Sequence, residues 1–309
     1  MELPMNEGGV KKKRGLTLTQ KYNIYGYAFM SVFFVLFFVF TIIPVFQAIY
    51  QSFTRYDMIN PEEFVGLKNY KLLLLDDDIF ILAIKNTLIF ACITGPVCFF
   101  LSFFIAWVIN QMKGKTLFAL AFYAPSVLSS VAISVVWLYF FSGDRYGLVN
   151  NILINIGIIS SPIQWTTDEN YILLIIILVQ IFTGMGTNFL VFLAGFQNMS
   201  RDLSEAGKID GIKNRWQDLR YIVLPQMKPQ LLFGAINAVV AAFGVYDIAV
   251  AVAGFPSTNY AGHLIMTHLR DYSSYRVERG YASAIAVLMF VFMMAINLTV
   301  LRALKKVGE

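Results

Sequence analysis

The sequence is poor in charge and in the residue types that build catalytic or metal sites. Only 14% of its 309 residues are charged, whereas soluble globular domains carry about 25%. Its two cysteines, Cys92 and Cys98, fall in one apolar run; on a helix they point about 120° apart, so we expect packing residues and no disulfide. His263 and His268 have no cysteine neighbours and are not expected to share a helix face. A zinc site is therefore not expected.

Catalytic and nucleotide-binding patterns are also missing. Gly114-Lys115-Thr116 imitates the end of a phosphate-binding loop, but Ile109 stands where that loop needs a glycine. There is no Ser/His/Asp set and no carboxylate pair that suggests catalysis. We expect the chain itself to be no enzyme and to hold no cofactor, so that any ATP is hydrolysed by a partner. The net charge of +5 reflects membrane topology, with no implication of nucleic-acid binding.

Long apolar segments are what the sequence does contain. Hydrophobic residues make up 58% of the chain, in runs of about 20 or more, a length that spans a bilayer. Lipid offers backbone groups no hydrogen-bond partner, so we predict an all-α membrane protein with six transmembrane helices. The predicted spans are Tyr25 to Tyr50, Thr87 to Asn110, Leu117 to Phe141, Tyr171 to Phe196, Leu231 to Phe255, and Tyr281 to Leu301.

The distribution of Lys and Arg predicts the orientation. With the amino terminus in the cytoplasm, sixteen of the 24 Lys and Arg residues lie on the inner side, as the positive-inside rule requires. Both termini are then cytoplasmic. The predicted organisation is a basic tail over residues 1–24, a membrane domain over 25–301 and a second cytoplasmic tail over 302–309.

One polar segment interrupts the apolar chain between spans four and five. This charged hairpin, residues 197–228, includes EAGKIDGIKNRWQDLRYIVLP. Ser200 can cap a first short helix and Gly211 can end it; a second helix presents Trp216, Leu219 and Val223 on one face. The pattern alone fits an amphipathic loop on the inner membrane surface. The alternative is a docking element, in which small residues allow close approach and Glu205 supplies a fixed charge.

The hairpin resembles the EAA loop of permease subunits from binding-protein-dependent ABC importers. That signature is Glu-Ala-Ala, three residues, Gly, about nine residues, then Ile-x-Leu-Pro. It is matched here by Glu205, Ala206, Gly207, Gly211, Ile222, Leu224 and Pro225. There are two departures: Gly207 replaces the second alanine, and ten residues separate Gly211 from Ile222.

Further motifs along the chain are similar to the carbohydrate branch of that family, particularly the larger maltose-permease-type subunit. They are FVGLKNY (64–70), Asn86-Thr87, YGLVN (146–150), FLAGFQNMSRDLSEAG (192–207), VYD (245–247) and GYASA (280–284). The resemblance implies the type I ABC importer permease fold in a bacterial or archaeal plasma membrane.

The resemblance also implies partners and roles. The partners would be a second homologous permease, two copies of a cytosolic ATPase that holds ATP and Mg, and an external sugar-binding protein. The ATPase-coupling residues would be Glu205, Ala206, Gly207, Asp210 and Gly211, with Ala206 and Gly207 permitting close approach. A carbohydrate would be the solute.

Polar residues within spans are candidates for the substrate path, since they are costly there. On span four, Gln180, Thr187 and Asn188 share a face with Thr183 and Gly184. The face suits a water-filled path and suits helix packing equally. Trp137 on span three is a further candidate, with an interfacial aromatic belt as the alternative.

Span five carries the remaining path candidates. Phe243, Tyr246 and Asp247 are predicted on one face, which offers sugars both an aromatic surface and a polar group. Asn237 and Asp247 could border one path at different depths. Asn237 points nearly opposite Tyr246, however, so all four residues share one cavity only if Gly244 allows a bend. Alternatively, Asp247 is solvated at the outer end or paired with Arg270 or Arg276.

Three other functions are alternatives to a sugar importer. A stand-alone secondary transporter usually shows internal repeats and intramembrane ionisable relays, whereas these spans carry almost no ionisable residue except Asp247. An importer of phosphate, amino acids or peptides would share the architecture, but the sugar-branch motifs argue against this alternative. A membrane enzyme is the remaining alternative, and the sequence shows no set of catalytic residues that supports it.

Overall fold

The computed structural model describes residues 17–305, and these residues are mostly helical. The described part separates into two compact units that divide after Tyr50. In the first unit, α1 (Leu18–Phe37) continues through a π-helical turn (Phe38–Ile42) into α2 (Ile43–Gln51). Almost all its described side chains are exposed, and most of them are apolar, as expected for a helix that contacts lipid or another chain.

The second unit begins with a short antiparallel ribbon, β1 (Thr54–Arg55) and β2 (Glu63–Phe64), in which Thr54 lies opposite Phe64. Helices form most of the rest. They are α3 (Lys68–Lys71), α4 (Asp78–Asn110), α5 (Lys115–Val127), α6 (Ser130–Phe140), α7 (Leu148–Asn155), α8 (Ile172–Gly184), α9 (Gly186–Gln197), α10 (Arg201–Ile209), α11 (Arg215–Asp218), α12 (Leu224–Gln226), α13 (Lys228–Phe243), α14 (Asp247–Ala253), α15 (Ile265–Arg270) and α16 (Arg279–Lys305).

Helix α4 is the long central element of this unit. The Asp77 side chain caps it by accepting a hydrogen bond from the Phe80 N–H at 2.8 Å. Buried small residues recur every fourth position, Thr94, Cys98, Ser102 and Ala106, and this smooth stripe lets α9 pack closely. The Ser102 hydroxyl donates to the Met185 carbonyl at 2.9 Å. Cys98 is buried as predicted, whereas Cys92 is exposed, which corrects its assignment as a buried packing residue.

The third predicted span is broken. Helices α5 and α6 meet at an angle of 94°, because Leu128 and Ser129 have extended backbone conformations with ψ of 149° and 132°. Extended residues cannot continue the helical hydrogen-bond ladder. The prediction of one continuous helix from Leu117 to Phe141 is therefore wrong.

The fifth predicted span is bent at the glycine that the sequence pointed to. Helix α13 ends at Phe243, Gly244 follows as its cap, and α14 starts at Asp247 with a bend of 43°. Phe243 and Asp247 thus belong to different helices, so the predicted shared face of Phe243, Tyr246 and Asp247 is not formed.

Among residues 17–305, four helices are long and apolar enough to cross a membrane, and up to six if each bent pair counts as one span. The four are Lys21–Gln51, Asp78–Asn110, Ile172–Gln197 and Arg279–Ala303.

A buried cluster connects the charged hairpin to this helical core. The hairpin contributes Leu219 and Val223, and α9 contributes Phe192 and Phe196. Met227, at the end of the hairpin, is fully buried in the same cluster. This packing fixes the base of the hairpin.

Candidate functional site

The charged hairpin presents one surface to solvent. Glu205, Ala206 and Asp210 are exposed on or just after α10, and Gly211 follows them, also exposed. Gly211 has φ of +98°, a conformation that glycine adopts without steric cost, so the helix ends there as predicted. Ser200 lies at the predicted cap position, but its side chain makes no capping hydrogen bond, which corrects that detail.

The second half of the hairpin has a different cap and a long helical continuation. The Asn214 side chain accepts a hydrogen bond from the Gln217 N–H at 2.8 Å, which starts α11. The helix continues as a π-helical turn over Leu219–Val223. Leu219 and Val223 are buried as predicted, while Trp216 is exposed. The ring of Trp216 lies beside that of Trp107 on α4, with the ring centroids 5.2 Å apart.

Gly207 differs from its neighbours because it is buried. A side chain at this position would collide with Cδ1 of Ile222 and approach Cδ1 of Ile212 at 3.0 Å. The Ile222 side chain, from the second half of the same hairpin, fills the space that a side chain at position 207 would take. The expectation that Gly207 leaves room for a partner is corrected: it leaves room for Ile222.

A large cavity of about 800 Å³ opens beside the hairpin. Its walls include Trp107 and Lys115 from the α4–α5 region and Glu205 from α10. The other charged lining residues are Lys208, Lys213, Arg215 and Asp218. The hairpin and the α4–α5 turn therefore form a concave, charged surface.

A second cavity, of about 340 Å³, brings together the polar candidates of α8, α9 and α13. Gln180, Thr187, Asn188 and Asn237 all line it. Asn188 donates its amide to the Gly234 carbonyl at 3.2 Å, while its buried Oδ1 has no partner among the described residues. An acceptor left free in this way can receive a hydrogen bond from a hydroxyl or a water molecule.

Sequence reasoning missed the lining residues that α4 and α5 contribute to this second cavity: Ser126 on α5, and Thr94 and Cys98 on α4. The four-residue spacing of small polar residues on α4 was a readable signal for Thr94 and Cys98. Ser126 could not be placed, because the break after α5 determines where it lies.

A third cavity, of about 230 Å³, holds Tyr246 and Asp247. Gln180 lines both the second and the third cavity, and Gly184 makes room for its amide, since a Cβ there would lie 2.8 Å from Nε2. The bend at Gly244 therefore exists, yet Asn237 and the Tyr246–Asp247 pair still line different cavities. They lie on the two sides of Gln180.

Asp247 itself is exposed. The Arg270 guanidinium carbon lies 5.2 Å from the centroid of the Tyr246 ring. Arg276 Nε forms an ion pair with Asp271 Oδ2 at 2.9 Å. Neither expected ion pair with Asp247 occurs in the part of the chain that the structure describes, and the solvated alternative fits its surroundings.

Two path candidates, Phe243 and Trp137, line neither the second nor the third cavity. Phe243 is 2% exposed and packs in the protein interior. The Trp137 ring stacks on Phe141 with centroids 5.8 Å apart and packs edge-to-face with Phe182 with centroids 5.3 Å apart. Packing explains both positions, and their assignment to the path stays a prediction.

The two histidines come together, contrary to the expectation from their spacing. His263 Nε2 lies 3.2 Å from His268 Nδ1, and His268 Nε2 lies 3.1 Å from Asp77 Oδ2. The Tyr281 hydroxyl donates to the same Asp77 oxygen at 2.7 Å. We call Asp77, His263, His268 and Tyr281 the histidine cluster. A loop before α15 folds His263 back towards the helix, so helix geometry does not apply.

Two α4 residues hold that loop in place. The Asn86 side chain donates to the carbonyls of Ala261 and His263 at 3.1 Å, and the Thr87 hydroxyl accepts from the Ile265 N–H at 2.9 Å. The Asn86-Thr87 motif thus has a structural purpose: it ties α4 to the segment that carries the histidines.

The surroundings lower the pKa values of Asp77 and His263. Burial opposes ionisation of Asp77, but hydrogen bonds from His268, the Phe80 N–H and Tyr281 together lower its pKa to about 2. Burial, with the nearby charge of His268, lowers the pKa of His263 to about 4. At neutral pH, Asp77 is therefore ionised and His263 is neutral. Among residues 17–305, no group of three or more potential ligands has the arrangement of a metal site.

Comparisons with known proteins agree with these features. The binding-protein-dependent transport system inner membrane component family matches residues 99–307. The probable ABC transporter permease protein YesP of Bacillus subtilis is 32% identical over 94% of this chain and 92% of its own. The lactose transport system permease protein LacF of Rhizobium radiobacter is 31% identical over 75% of this chain and 76% of its own.

A solved structure shares the fold. It is a chain of a bacterial alginate ABC transporter in complex with alginate pentasaccharide-bound periplasmic protein. The TM-score is 0.74 at 22% identity, over 90% of this chain and 93% of the other. The fold is thus that of a type I ABC importer permease. The chain belongs to the binding-protein-dependent transport system inner membrane component family.

Proposed function

We propose that this chain is the transmembrane subunit of an ATP-driven importer of sugars or oligosaccharides. The observation that carries the proposal is the charged hairpin. Glu205, Ala206 and Gly211 are exposed on it, while Leu219 and Val223 fix its base in the helical core. An exposed, charged surface on a rigid base suits the transmission of force from a partner to the membrane helices.

The topology belongs to the same proposal. Counting each bent pair as one span gives six, and the Lys and Arg distribution then places both termini and the charged hairpin in the cytoplasm. The organisation would be a tail over 1–24, a membrane domain over 25–301 and a tail over 302–309. Residues 1–16 and 306–309 lie outside the described residues.

Coupling would run through the hairpin. A cytosolic ATPase, present in two copies, binds ATP and Mg and takes Glu205, Ala206, Asp210 and Gly211 into a groove. Closure of the two ATPases pushes the hairpins of this chain and of a homologous second permease, and the spans alternate between inward-open and outward-open states. This chain contributes docking and conduction, and the partner contributes hydrolysis.

The solute class follows from the relatives and the cavities together. LacF is named for lactose, and the alginate transporter was solved with a pentasaccharide-bound periplasmic protein. In this chain, the two cavities that meet at Gln180 offer amide and hydroxyl groups, a carboxylate and the Tyr246 ring. Such groups suit polyhydroxylated, uncharged or weakly charged solutes.

A gentle detergent purification of the tagged chain from its native membrane tests the assembly. We expect a second permease and an ATPase to copurify, identified by mass, in amounts comparable to the tagged chain. A Glu205→Lys variant should insert normally and is a matched control for the hairpin contact. Recovery of the chain alone, still folded and able to transport without ATP, would contradict the proposal and favour a secondary transporter.

A further inference from the structure

Three aromatic rings, one directly before α14 and two between α14 and α16, form a connected patch. Phe255 stacks on Tyr275 with centroids 5.0 Å apart and ring planes 19° apart. Tyr275 lies close enough to Tyr246 for the two hydroxyl groups to influence each other. We call Phe255, Tyr275 and Tyr246 the aromatic patch. Tyr275 is 61% exposed, so one large ring face is open to solvent without any covering element among the described residues.

The aromatic patch continues into the third cavity. Tyr246 belongs to both, and Asp247, the next residue, is exposed and lines the cavity beside it. Arg270 lies over the Tyr246 ring at 5.2 Å and has no carboxylate within ion-pair distance in the described part of the chain. Its guanidinium is therefore fixed by the ring while its N–H donors remain free.

The patch is supported from behind by the histidine cluster. The His263 ring lies nearly parallel to Phe255, at 27° and 6.2 Å between centroids. His263 is in turn held through His268 and Asp77. A rigid, buried hydrogen-bonded chain behind an exposed aromatic surface is typical of a preorganised binding site, because the rings need no reordering when a ligand arrives.

We propose that the aromatic patch, with Arg270 and Asp247, is a binding site for one sugar unit at the outer mouth of the path. This inference rests on the proposed function. The C–H face of a pyranose ring would lie against Tyr275, as apolar faces do on aromatic rings. Arg270 would donate to its hydroxyl or ring oxygens, and Asp247 would accept from its hydroxyls. The site would receive the sugar before it reaches Gln180.

The test uses the complete transporter with its binding protein in proteoliposomes. Uptake of radiolabelled lactose, arabinotriose and maltotriose is measured at saturating binding protein, together with ATP hydrolysis. We expect Tyr275→Ala to lower the maximal uptake rate of the imported sugar about fivefold, a loss typical of one aromatic contact. ATP hydrolysis stimulated by the binding protein should stay within about twofold of the unmodified transporter.

Two further variants give the test its specificity. Tyr275→Trp keeps an aromatic face and should restore uptake. Tyr146→Ala removes an equally accessible tyrosine, 83% exposed, from a different loop and should leave uptake unchanged. If Tyr275→Ala does not assemble, Arg270→Gln removes the free donors from an exposed side chain and should lower uptake in the same way.

The remaining outcomes separate this inference from the proposed function. Unchanged uptake in Tyr275→Ala and Arg270→Gln would overturn the sugar site while the importer assignment stands. A parallel loss of uptake and of stimulated ATP hydrolysis would also overturn it, because the patch would then contact the binding protein. Import of none of the three sugars by the unmodified transporter would overturn the sugar assignment, and the patch with it.

Discussion

The charged hairpin and the histidine cluster use polar residues in opposite ways. In the hairpin, Glu205 and Asp210 are exposed. In the histidine cluster, Asp77 is mostly shielded and accepts hydrogen bonds from His268, Tyr281 and the Phe80 N–H. Exposed charges contribute little to the stability of the chain that carries them, whereas a buried acceptor is costly to leave unpaired. The hairpin is therefore suited to binding a partner, and the histidine cluster to holding the chain together.

The largest expected effect is on transport, from Glu205→Lys. We expect uptake by the assembled transporter to fall at least about tenfold, because reversing a charge at a partner interface costs more than the contact itself contributes. The apparent Tm of the chain in detergent should stay the same. Asp202→Lys, an exposed acidic residue on the same helix, is the control and should retain most of the uptake. Normal uptake by Glu205→Lys would remove the coupling role from the hairpin.

The largest expected effect on stability is from Asp77→Ala. Removing the shared acceptor leaves His268, Tyr281 and the start of α4 without their partner, and we expect a loss of about 3 kcal/mol. Thermal unfolding of the purified chain in detergent measures it. Asp76→Ala, an exposed neighbour in the same acidic run, should change stability by less than about 0.5 kcal/mol. Equal effects of the two substitutions would show that the cluster contributes nothing special.

Acid should weaken the histidine cluster. The pKa of His263 is about 4 in the folded chain against 6.5 for the free side chain, so the unfolded chain takes up the proton first. Neutral His263 therefore makes its full contribution to the free energy of unfolding above pH 6.5, and this contribution is lost as the pH falls towards 4. At pH 5 the loss is about 2 kcal/mol. Unfolding of the purified chain at stepped pH checks this. His263→Gln should flatten the profile, and an unchanged profile would contradict the account.

The smallest expected effect is at Gly207, where the hairpin packs on itself. Gly207→Ala forces the Ile222 side chain to move, which costs about 1–2 kcal/mol, and gains up to about 1 kcal/mol of helix propensity. We expect a net loss below about 1 kcal/mol. Ile222→Val removes the colliding Cδ1, so in that background Gly207→Ala should become neutral or stabilising. A double-mutant cycle on thermal unfolding measures the coupling, and simple additivity would show that the two residues do not interact.

The two regions also differ in how far the sequence predicted them. The hairpin was predictable because its signals are local: Gly211 ends α10, and the apolar positions Leu219 and Val223 mark its buried side. Gly244 was named only as a place where a bend could occur, and the structure does bend there. The histidine cluster was not, since His263 meets His268 through a loop and Asp77 is distant in sequence. The break at Leu128 and Ser129 was missed because neither residue interrupts a helix by itself.

The roles of the path residues show the same limit. Gln180, Thr187 and Asn188 were chosen because helical spacing places them on one face, and they do line one cavity together with Asn237; that this cavity conducts a solute remains our prediction. Phe243 was chosen in the same way, from its spacing to Tyr246 and Asp247, but α13 ends at Phe243 and its side chain packs in the interior. Trp137 was chosen by residue type, and its ring stacks on Phe141. Helical spacing therefore identifies neighbours only where the helix continues unbroken.

Reconstituted transport tests the central claim most directly. The complex purified through this chain is placed in vesicles, its binding protein and radiolabelled lactose, arabinotriose or maltotriose are added on the outer side, and uptake is measured with and without ATP inside. Our account predicts uptake of at least one sugar that requires both ATP and the binding protein. Uptake that continues without ATP and follows an imposed ion gradient would contradict it.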